Sequence, residues 1–176
     1  RLGLDALALT DRNGVYGIPK AYRAWKELPA ETRARFRLII GAELTWKPST
    51  EIRDPGLGPD SLVLLARTRR AYGILCRLIT AAHAGREKGA ACLTTEILES
   101  HFSAAERIPG LRELAILAPP PLSLRTRPAA KWLERIDRIL EGLDAPAGTH
   151  GLHFPIFQFR DPHDLERMRV AEALAR

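Results

Sequence analysis

The chain has few cysteines and few aromatic residues, and each shortage excludes a class of protein. Two cysteines among 176 residues are too few for the disulfide framework of a small secreted domain. Cys76 lies within a helical apolar pattern, which predicts a buried free thiol in a reducing cytoplasm. Aromatic residues make up only 6% of the sequence and are scattered, so nothing indicates a platform on which single-stranded nucleic acid would stack.

Long apolar runs and nucleophile motifs are missing as well. No apolar run reaches the roughly eighteen residues that a membrane span needs, and no signal peptide is visible. We therefore expect a cytoplasmic protein with no membrane partner. The serines lie in no nucleophile elbow, which leaves serine hydrolysis without support. No Gly-Lys-Ser/Thr follows Gly14 and Gly17, so a phosphate-binding P-loop is not indicated.

Positive charge is what the chain has in excess. The formal net charge is +6 at pH 7, which suits a neighbour of nucleic acid. An arginine-rich composition also follows from a GC-rich genome, and most charged side chains lie on solvated faces. Direct contact of this segment with DNA is therefore an open alternative at this point.

Strand-like and helix-like segments alternate along the chain. We predict strands at residues 4–9, 38–44, 62–66, 114–117 and 152–159, and helices at residues 18–28, 70–83, 94–98, 128–140 and from 161 onward. Residues 47–60 are rich in proline and glycine and read as a loop. The apolar run at 4–9 predicts a strand buried on both faces. Such alternation is typical of parallel βαβ units in an α/β fold.

Two of the predicted strands end in a carboxylate. Asp11 follows the first strand and precedes a tight turn at Asn13-Gly14, and Glu43 closes the second strand. Open α/β sheets and barrels place their chemistry at the carboxyl ends of parallel strands. We therefore expect Asp11 and Glu43 to face one site.

Two stretches carry a family resemblance. Residues 10–17 read Thr-Asp-Arg-Asn-Gly-Val-Tyr-Gly, and residues 40–43 read Ile-Gly-Ala-Glu. A strand, then Thr-Asp-(His)-x-Gly-x-x-Gly, a helix and a strand ending Ile-Gly-x-Glu is the pattern of the PHP (polymerase and histidinol phosphatase) domain. Residues 62–67 and 71–83 are similar to the blocks LxLLA and GYxNLxxLxSxA in the PHP domain of DnaE-type bacterial DNA polymerases. The resemblance is good over residues 1–100 and loose over 110–176.

The resemblance implies a fold and a domain organisation. A PHP domain is a distorted, TIM-like (β/α)7 barrel with parallel strands and outer helices. Residues 1–176 would be a PHP domain fragment that lacks the first and last strand motifs of the family. The chain starts without Met and stops in a helical pattern, which we take as signs of a longer polypeptide.

The resemblance also implies a metal site, from which this sequence departs. A working PHP site holds two or three divalent metals, such as Zn, Mn or Mg, on His, Asp, Glu and sometimes Cys. Asp11 and Glu43 match ligand positions, but Arg12 stands where the family has His, and Ser61 replaces another His. Arginine has no lone pair to offer a cation. We therefore expect a degenerate, metal-poor site in which Arg12 forms a charged, hydrogen-bonded cluster with the two acids in place of the metal.

These observations favour a PHP segment of a DnaE-type DNA-directed DNA polymerase, acting in replication or error-prone lesion bypass. Arg12 and the phrase Gly-Ala-Glu-Leu at residues 41–44 favour the error-prone branch. The parent would be a nucleotidyltransferase, whereas this segment would be a non-catalytic scaffold that meets DNA through the parent and packs against other polymerase domains or subunits. Two alternatives stay open: an active metal-dependent phosphoesterase or 3′–5′ exonuclease, and a non-catalytic basic module that binds nucleic acid or a protein partner.

Overall fold

A computed structural model describes residues 4–46, 60–94, 96–97, 113–117 and 152–153 of the protein. Its elements are β1 (Ala6–Arg12), α1 (Ile18–Lys26), α2 (Ala30–Arg35), β2 (Arg37–Trp46), β3 (Asp60–Ala66), α3 (Arg69–His83), β4 (Leu114–Leu117) and β5 (Leu152–His153). The predicted loop over 47–60 lies outside the described residues except for Asp60, which begins β3. The predicted helices at 128–140 and from 161 and the predicted strand beyond residue 153 also lie outside them. The five predicted strands all have a counterpart in the structure.

The strands form one mixed sheet in the order β1-β2-β3-β4-β5. β1 is parallel to β2, and β4 is parallel to β5, but β3 is antiparallel to both of its neighbours. The expectation of parallel strands throughout is therefore wrong for β3. Neighbouring parallel strands need a crossover, usually through a helix, and the sequence between β2 and β3 has no helical pattern. Alternation of element types alone did not reveal that this connection reverses the chain.

One face of the sheet packs against α3 and forms the core. The core consists of the apolar residues Ala42, Leu44, Trp46, Leu62, Leu64, Ala71, Ile74, Leu75, Leu78, Ala82, Leu93, Leu114 and Ile116. The helix predicted over 70–83 is confirmed as α3, whose Leu75, Leu78 and Ala82 are core residues and whose Ile79 packs against the core. Burial of this surface is the main force that fixes the helix on the sheet.

Side-chain caps begin two of the helical segments. Thr68 Oγ1 accepts a hydrogen bond from the Ala71 amide at 3.1 Å at the start of α3. Thr94 Oγ1 accepts from the Ile97 amide at 3.3 Å, at the start of the helix predicted over 94–98. A hydrogen bond from Thr94 also lowers the pKa of Glu96 below its ordinary value.

A short helix, α2, lies between α1 and β2, where no helix was predicted. α2 begins directly after Pro29 and has Glu31 in its first turn and Arg33 and Arg35 in its last. These charges complement the helix dipole. Arg33 Nη1 also donates to the carbonyl oxygen of Lys26 at 3.0 Å, which ties α2 to the end of α1. Six residues are too few for a periodic apolar pattern, which is why sequence reasoning missed α2.

Two burial expectations need correction. β1 lies at the edge of the described sheet, and its residues 6–8 are exposed instead of buried on both faces. Neither cysteine forms a disulfide, but Cys76 is only half-buried, and Cys92 is the buried one. A hydrogen bond with Cys76, together with burial, raises the pKa of Tyr72. Among the described helices, none has the length and apolar character to span a bilayer.

Candidate functional site

The strand register separates the two carboxylates that were expected to share a site. Asp11 pairs with Ala42, and Arg12 pairs with Glu43. Because successive side chains of a strand alternate between its faces, Asp11 lies on the same face as the helix-packed Ala42. Glu43 lies on the opposite face, beside Arg12 and Val63. The structure therefore brings Glu43 next to the arginine and not next to Asp11.

We call the side of the sheet that carries Arg12, Glu43, Thr45 and Ser61 the polar face. Thr45 pairs with Ser61 in the antiparallel register, two positions further along β2 than Glu43. Glu43 and Ser61 are half-buried, whereas Arg12 is exposed. Three of the four site residues predicted from the sequence thus share one face, and Asp11 is the exception.

Asp11 instead holds the turn that leads into α1. Its Oδ2 accepts a hydrogen bond from the Gly17 amide at 2.5 Å, and Gly17 is the residue before the first turn of α1. A Cβ atom on Gly17 would lie 3.0 Å from Leu9 Cδ2 and 3.3 Å from Asp11 Oδ2. A side chain there would press against the carboxylate, so the glycine of this motif keeps Asp11 in place.

Asn13 is the centre of a hydrogen-bond network that sequence reasoning missed. Its backbone has φ of 51°, a left-handed conformation that asparagine tolerates better than most residues. Its backbone amide donates to the Glu43 carbonyl at 2.7 Å. Its side chain accepts from the Thr45 amide at 2.8 Å and donates to Thr45 Oγ1 at 2.9 Å and to the Ala91 carbonyl at 3.4 Å. Asn13 therefore joins β1, β2 and the loop after α3.

His83 completes this network from the end of α3. Its Nε2 lies 2.8 Å from the carbonyl oxygen of Asn13, and since a carbonyl only accepts, Nε2 carries the proton in this contact. The sequence analysis did not assign His83 to the site, because its partner is 70 positions away. The Asn-Gly dipeptide predicted the turn correctly, but no sequence signal named its long-range partners.

A pocket of about 780 Å³ opens beside this network. It is lined by residues from β1 and its turn, from β2, from the end of α3 and from the following loop: Arg12, Asn13, Tyr16, Thr45, His83, Lys88, Gly89, Ala90, Ala91 and Cys92. Two of these side chains are cationic, and none is a carboxylate. The pocket is therefore chemically unlike a site built from acidic metal ligands.

The described residues do not fit the metal centre that the family resemblance implies. In the described part of the chain, no three His, Cys, Asp or Glu side chains lie close enough to share a metal ion. Asp11 is on the helix-packed face and bonded to the Gly17 amide. Glu43 has a guanidinium as its strand neighbour, which disfavours a cation there. The metal-poor character of the whole site stays a prediction.

Comparison with known proteins finds a matching domain family and similar stretches in several polymerases. The profile of the PHP domain matches residues 1–144. The error-prone DNA polymerase of Rhodopseudomonas palustris (strain HaA2) is 33% identical over 178 residues, covering 100% of this chain and 14% of that protein. The error-prone DNA polymerase of Anaeromyxobacter sp. (strain K) is 48% identical over 84 residues, or 48% of this chain and 6% of that protein.

A third relative is the error-prone DNA polymerase of Mycolicibacterium paratuberculosis (strain ATCC BAA-968 / K-10). It is 42% identical over 90 residues, which cover 51% of this chain and 8% of that protein. In these three comparisons the chain matches between 6% and 14% of the relative's length. The activities of the whole relatives therefore cannot be assigned to this chain from similarity alone.

Proposed function

The chain belongs to the PHP domain family, and from this we propose that it is the PHP segment of an error-prone, DnaE-type DNA-directed DNA polymerase. The relative that matches the whole chain is named as such a polymerase. The parent would act in the cytoplasm and meet DNA through its other domains. The segment would contribute part of a distorted (β/α)7 barrel, without the first and last strand motifs of the family.

Within the parent, the segment acts as a structural domain and not as a metal-dependent catalyst. The observation that carries this proposal is the register of Arg12 with Glu43 on the polar face. Neighbouring strands lie about 4.8 Å apart, so an arginine occupies the strand position next to Glu43, the polar-face carboxylate that matches a family ligand. The two side chains form no ion pair among the described residues, and the proposal rests on their adjacent positions. Ser61, at another ligand position, offers only a neutral hydroxyl, which binds Zn²⁺ or Mn²⁺ poorly.

Titration calorimetry with Zn²⁺ and Mn²⁺ on the intact protein tests this proposal. We expect the wild type and Glu43→Ala to bind both metals alike, since any metal held elsewhere in the protein is common to the two. Arg12→His places an imidazole beside Glu43 and should add a binding event. Arg37→His, the same exchange at the opposite end of the sheet, should not. Micromolar binding by the wild type that disappears in Glu43→Ala or Asp11→Ala would overturn the proposal.

The rival function, a phosphoesterase or 3′–5′ exonuclease, is decided by an activity measurement. The intact wild-type protein is incubated with Mn²⁺ and either a phosphomonoester or an oligonucleotide labelled at its 3′ end. We expect no release that depends on Glu43. Release of phosphate or nucleotides by the wild type, lost in Glu43→Ala while polymerisation continues, would establish the rival instead.

A further inference from the structure

The pocket beside β1 holds positive charge without a matching carboxylate in its lining. Arg12 at the end of β1 and Lys88 in the loop after α3 both line it, and both side chains are exposed. Within the described ranges, neither forms an ion pair; the ion pair that is present joins Arg70 to Glu113 at 3.8 Å, outside the pocket lining. Two cations that converge on one concave surface attract an anion.

The pocket wall is held in place before any ligand arrives. The Leu93 amide donates to the Thr45 carbonyl at 2.8 Å, and the Cys92 amide donates to the Ala82 carbonyl at 3.0 Å. These bonds tie the loop that carries Lys88 to β2 and to α3. Asn13 and His83 fix the opposite wall. A preorganised wall lowers the entropic cost of holding a ligand.

Neutral donors and an aromatic ring add to the cationic groups. The amides of Gly89 and Ala91 donate to no acceptor in the part of the chain that the structure describes, and both residues line the pocket. Tyr16 is 74% exposed and also lines it. Arginine forks and backbone amides suit phosphate oxygens, and an exposed ring offers a face on which a base can stack.

We infer that this pocket binds the phosphate end of a nucleotide, held by Arg12 and Lys88, with Tyr16 beside the base or sugar. The volume of about 780 Å³ lies within the range of roughly 300–1,000 Å³ that small-molecule sites occupy, and exceeds what a single phosphate needs. The contacts are made by side-chain cations and not through a metal. The inference goes beyond the proposed scaffold role, and it depends on Lys88, which that role does not use.

The test is equilibrium binding to the intact protein, with EDTA present to suppress metal-dependent sites. The probes are inorganic pyrophosphate, dATP, and a short oligonucleotide with or without a 5′ phosphate. The variants Arg12→Gln and Lys88→Gln each remove one pocket cation. Their matched controls are Arg37→Gln, an exposed strand arginine at the other end of the sheet, and Lys20→Gln, an exposed lysine on α1.

We expect Arg12→Gln and Lys88→Gln each to weaken dATP binding by about tenfold or more, as loss of a charge-assisted contact does. The two control variants should stay within about twofold, because they leave the pocket unchanged. Competition by pyrophosphate would assign the site to a free nucleotide. Preference for the 5′-phosphorylated oligonucleotide over dATP would assign it to a strand end.

Three outcomes would overturn the inference. One is that Lys88→Gln leaves the binding of dATP and of the 5′-phosphorylated oligonucleotide unchanged, or that the wild type binds neither probe. Another is an equal loss in the pocket variants and the controls, which would indicate a diffuse basic surface. The third is oligonucleotide binding that ignores the terminal phosphate and dATP altogether. Metal binding at Glu43 would defeat the scaffold proposal and still leave the Lys88 result interpretable, so the two failures are distinguishable.

Discussion

The two faces of the sheet follow different rules. Where the sheet packs on α3, that face is apolar and closed, and its Ala42 and Leu44 are fully buried in one core with Leu75 of α3. The polar face carries Arg12 and Glu43 and is only partly covered in the described residues. The first face is stabilised by burial, which tolerates exchange among apolar side chains of similar volume. The second depends on which residue stands beside which, so a shift of one position would change its chemistry completely.

Truncating one leucine on each side tests this contrast directly. Leu75→Ala removes a fully buried side chain from the α3 face and should lower stability by about 2–5 kcal/mol through lost burial and the cavity left behind. Leu65→Ala, on the polar side and half-buried, should cost clearly less. Hydrogen exchange of the β2 and α3 amides in the intact protein measures both effects. Equal losses would show that the polar face is covered as fully as the other.

Substitution of Gly41, the glycine of the Ile-Gly-x-Glu motif, is expected to have the next largest effect on stability. Gly73 provides a matched control. A Cβ atom on Gly41 would lie 2.6 Å from the backbone oxygen of Leu64 and 2.6 Å from Leu65 Cδ2, so Gly41→Ala should separate β2 from β3 at a cost of about 1–3 kcal/mol. Gly73 on α3 has open space around it. Gly73→Ala should therefore stabilise the helix by about 0.5–1 kcal/mol.

Exchange protection of β3 and α3 separates these two glycine variants. Loss of protection in β3 is expected for Gly41→Ala, and gain in α3 for Gly73→Ala. A neutral Gly41→Ala would mean that β2 and β3 are further apart at this point than the structure shows.

Substitution of Asn13 tests the network behind the pocket. Asn13→Ala removes the side-chain bonds to Thr45 and Ala91 and puts alanine at a positive φ, with an expected loss of about 1–3 kcal/mol. Asn13→Gly removes the same bonds, but glycine adopts a positive φ without strain. The difference in stability between the two variants therefore measures the cost of placing alanine at this φ. Thermal unfolding with exchange of the 84–93 loop provides the measurement. If both variants match the wild type, the network contributes nothing to stability.

Replacing Asp11 and Glu43 by their isosteric amides is expected to change stability least, and it distinguishes the roles of the two acids best. Asp11→Asn weakens a charge-assisted bond from the Gly17 amide and should cost about 1 kcal/mol. Glu43→Gln removes a charge beside Arg12 without breaking a described hydrogen bond of its side chain, and should change stability by less than about 0.5 kcal/mol. Unfolding midpoints of the two variants decide this. The reverse order would show that Glu43, and not Asp11, is the structural acid.

Sequence reasoning succeeded where local patterns carry the information. β4 was predicted with its observed bounds, α3 began one residue from the prediction, and the Asn13-Gly14 turn was found. It failed where strands meet. The direction of β3 and the pairing of Arg12 with Glu43 depend on connections and register that no local pattern encodes. The family assignment itself does not need Asp11 and Glu43 side by side, because it rests on a match over residues 1–144.

The amino-acid sequence by itself determined the family, the places of the described strands and of α1 and α3 along the chain, and the presence of an arginine at a ligand position. These properties are local or motif-based, since they depend on periodicity and on residue identity. Only the tertiary structure decided that Asp11 serves a turn, that Arg12 stands beside Glu43 and that Lys88 joins Arg12 around one pocket. Arg12 is tens of positions from Glu43 and from Lys88, whereas Asp11 and Gly17 are only six apart. All three relations exist only once hydrogen-bonded register and close packing fix which side chains are neighbours.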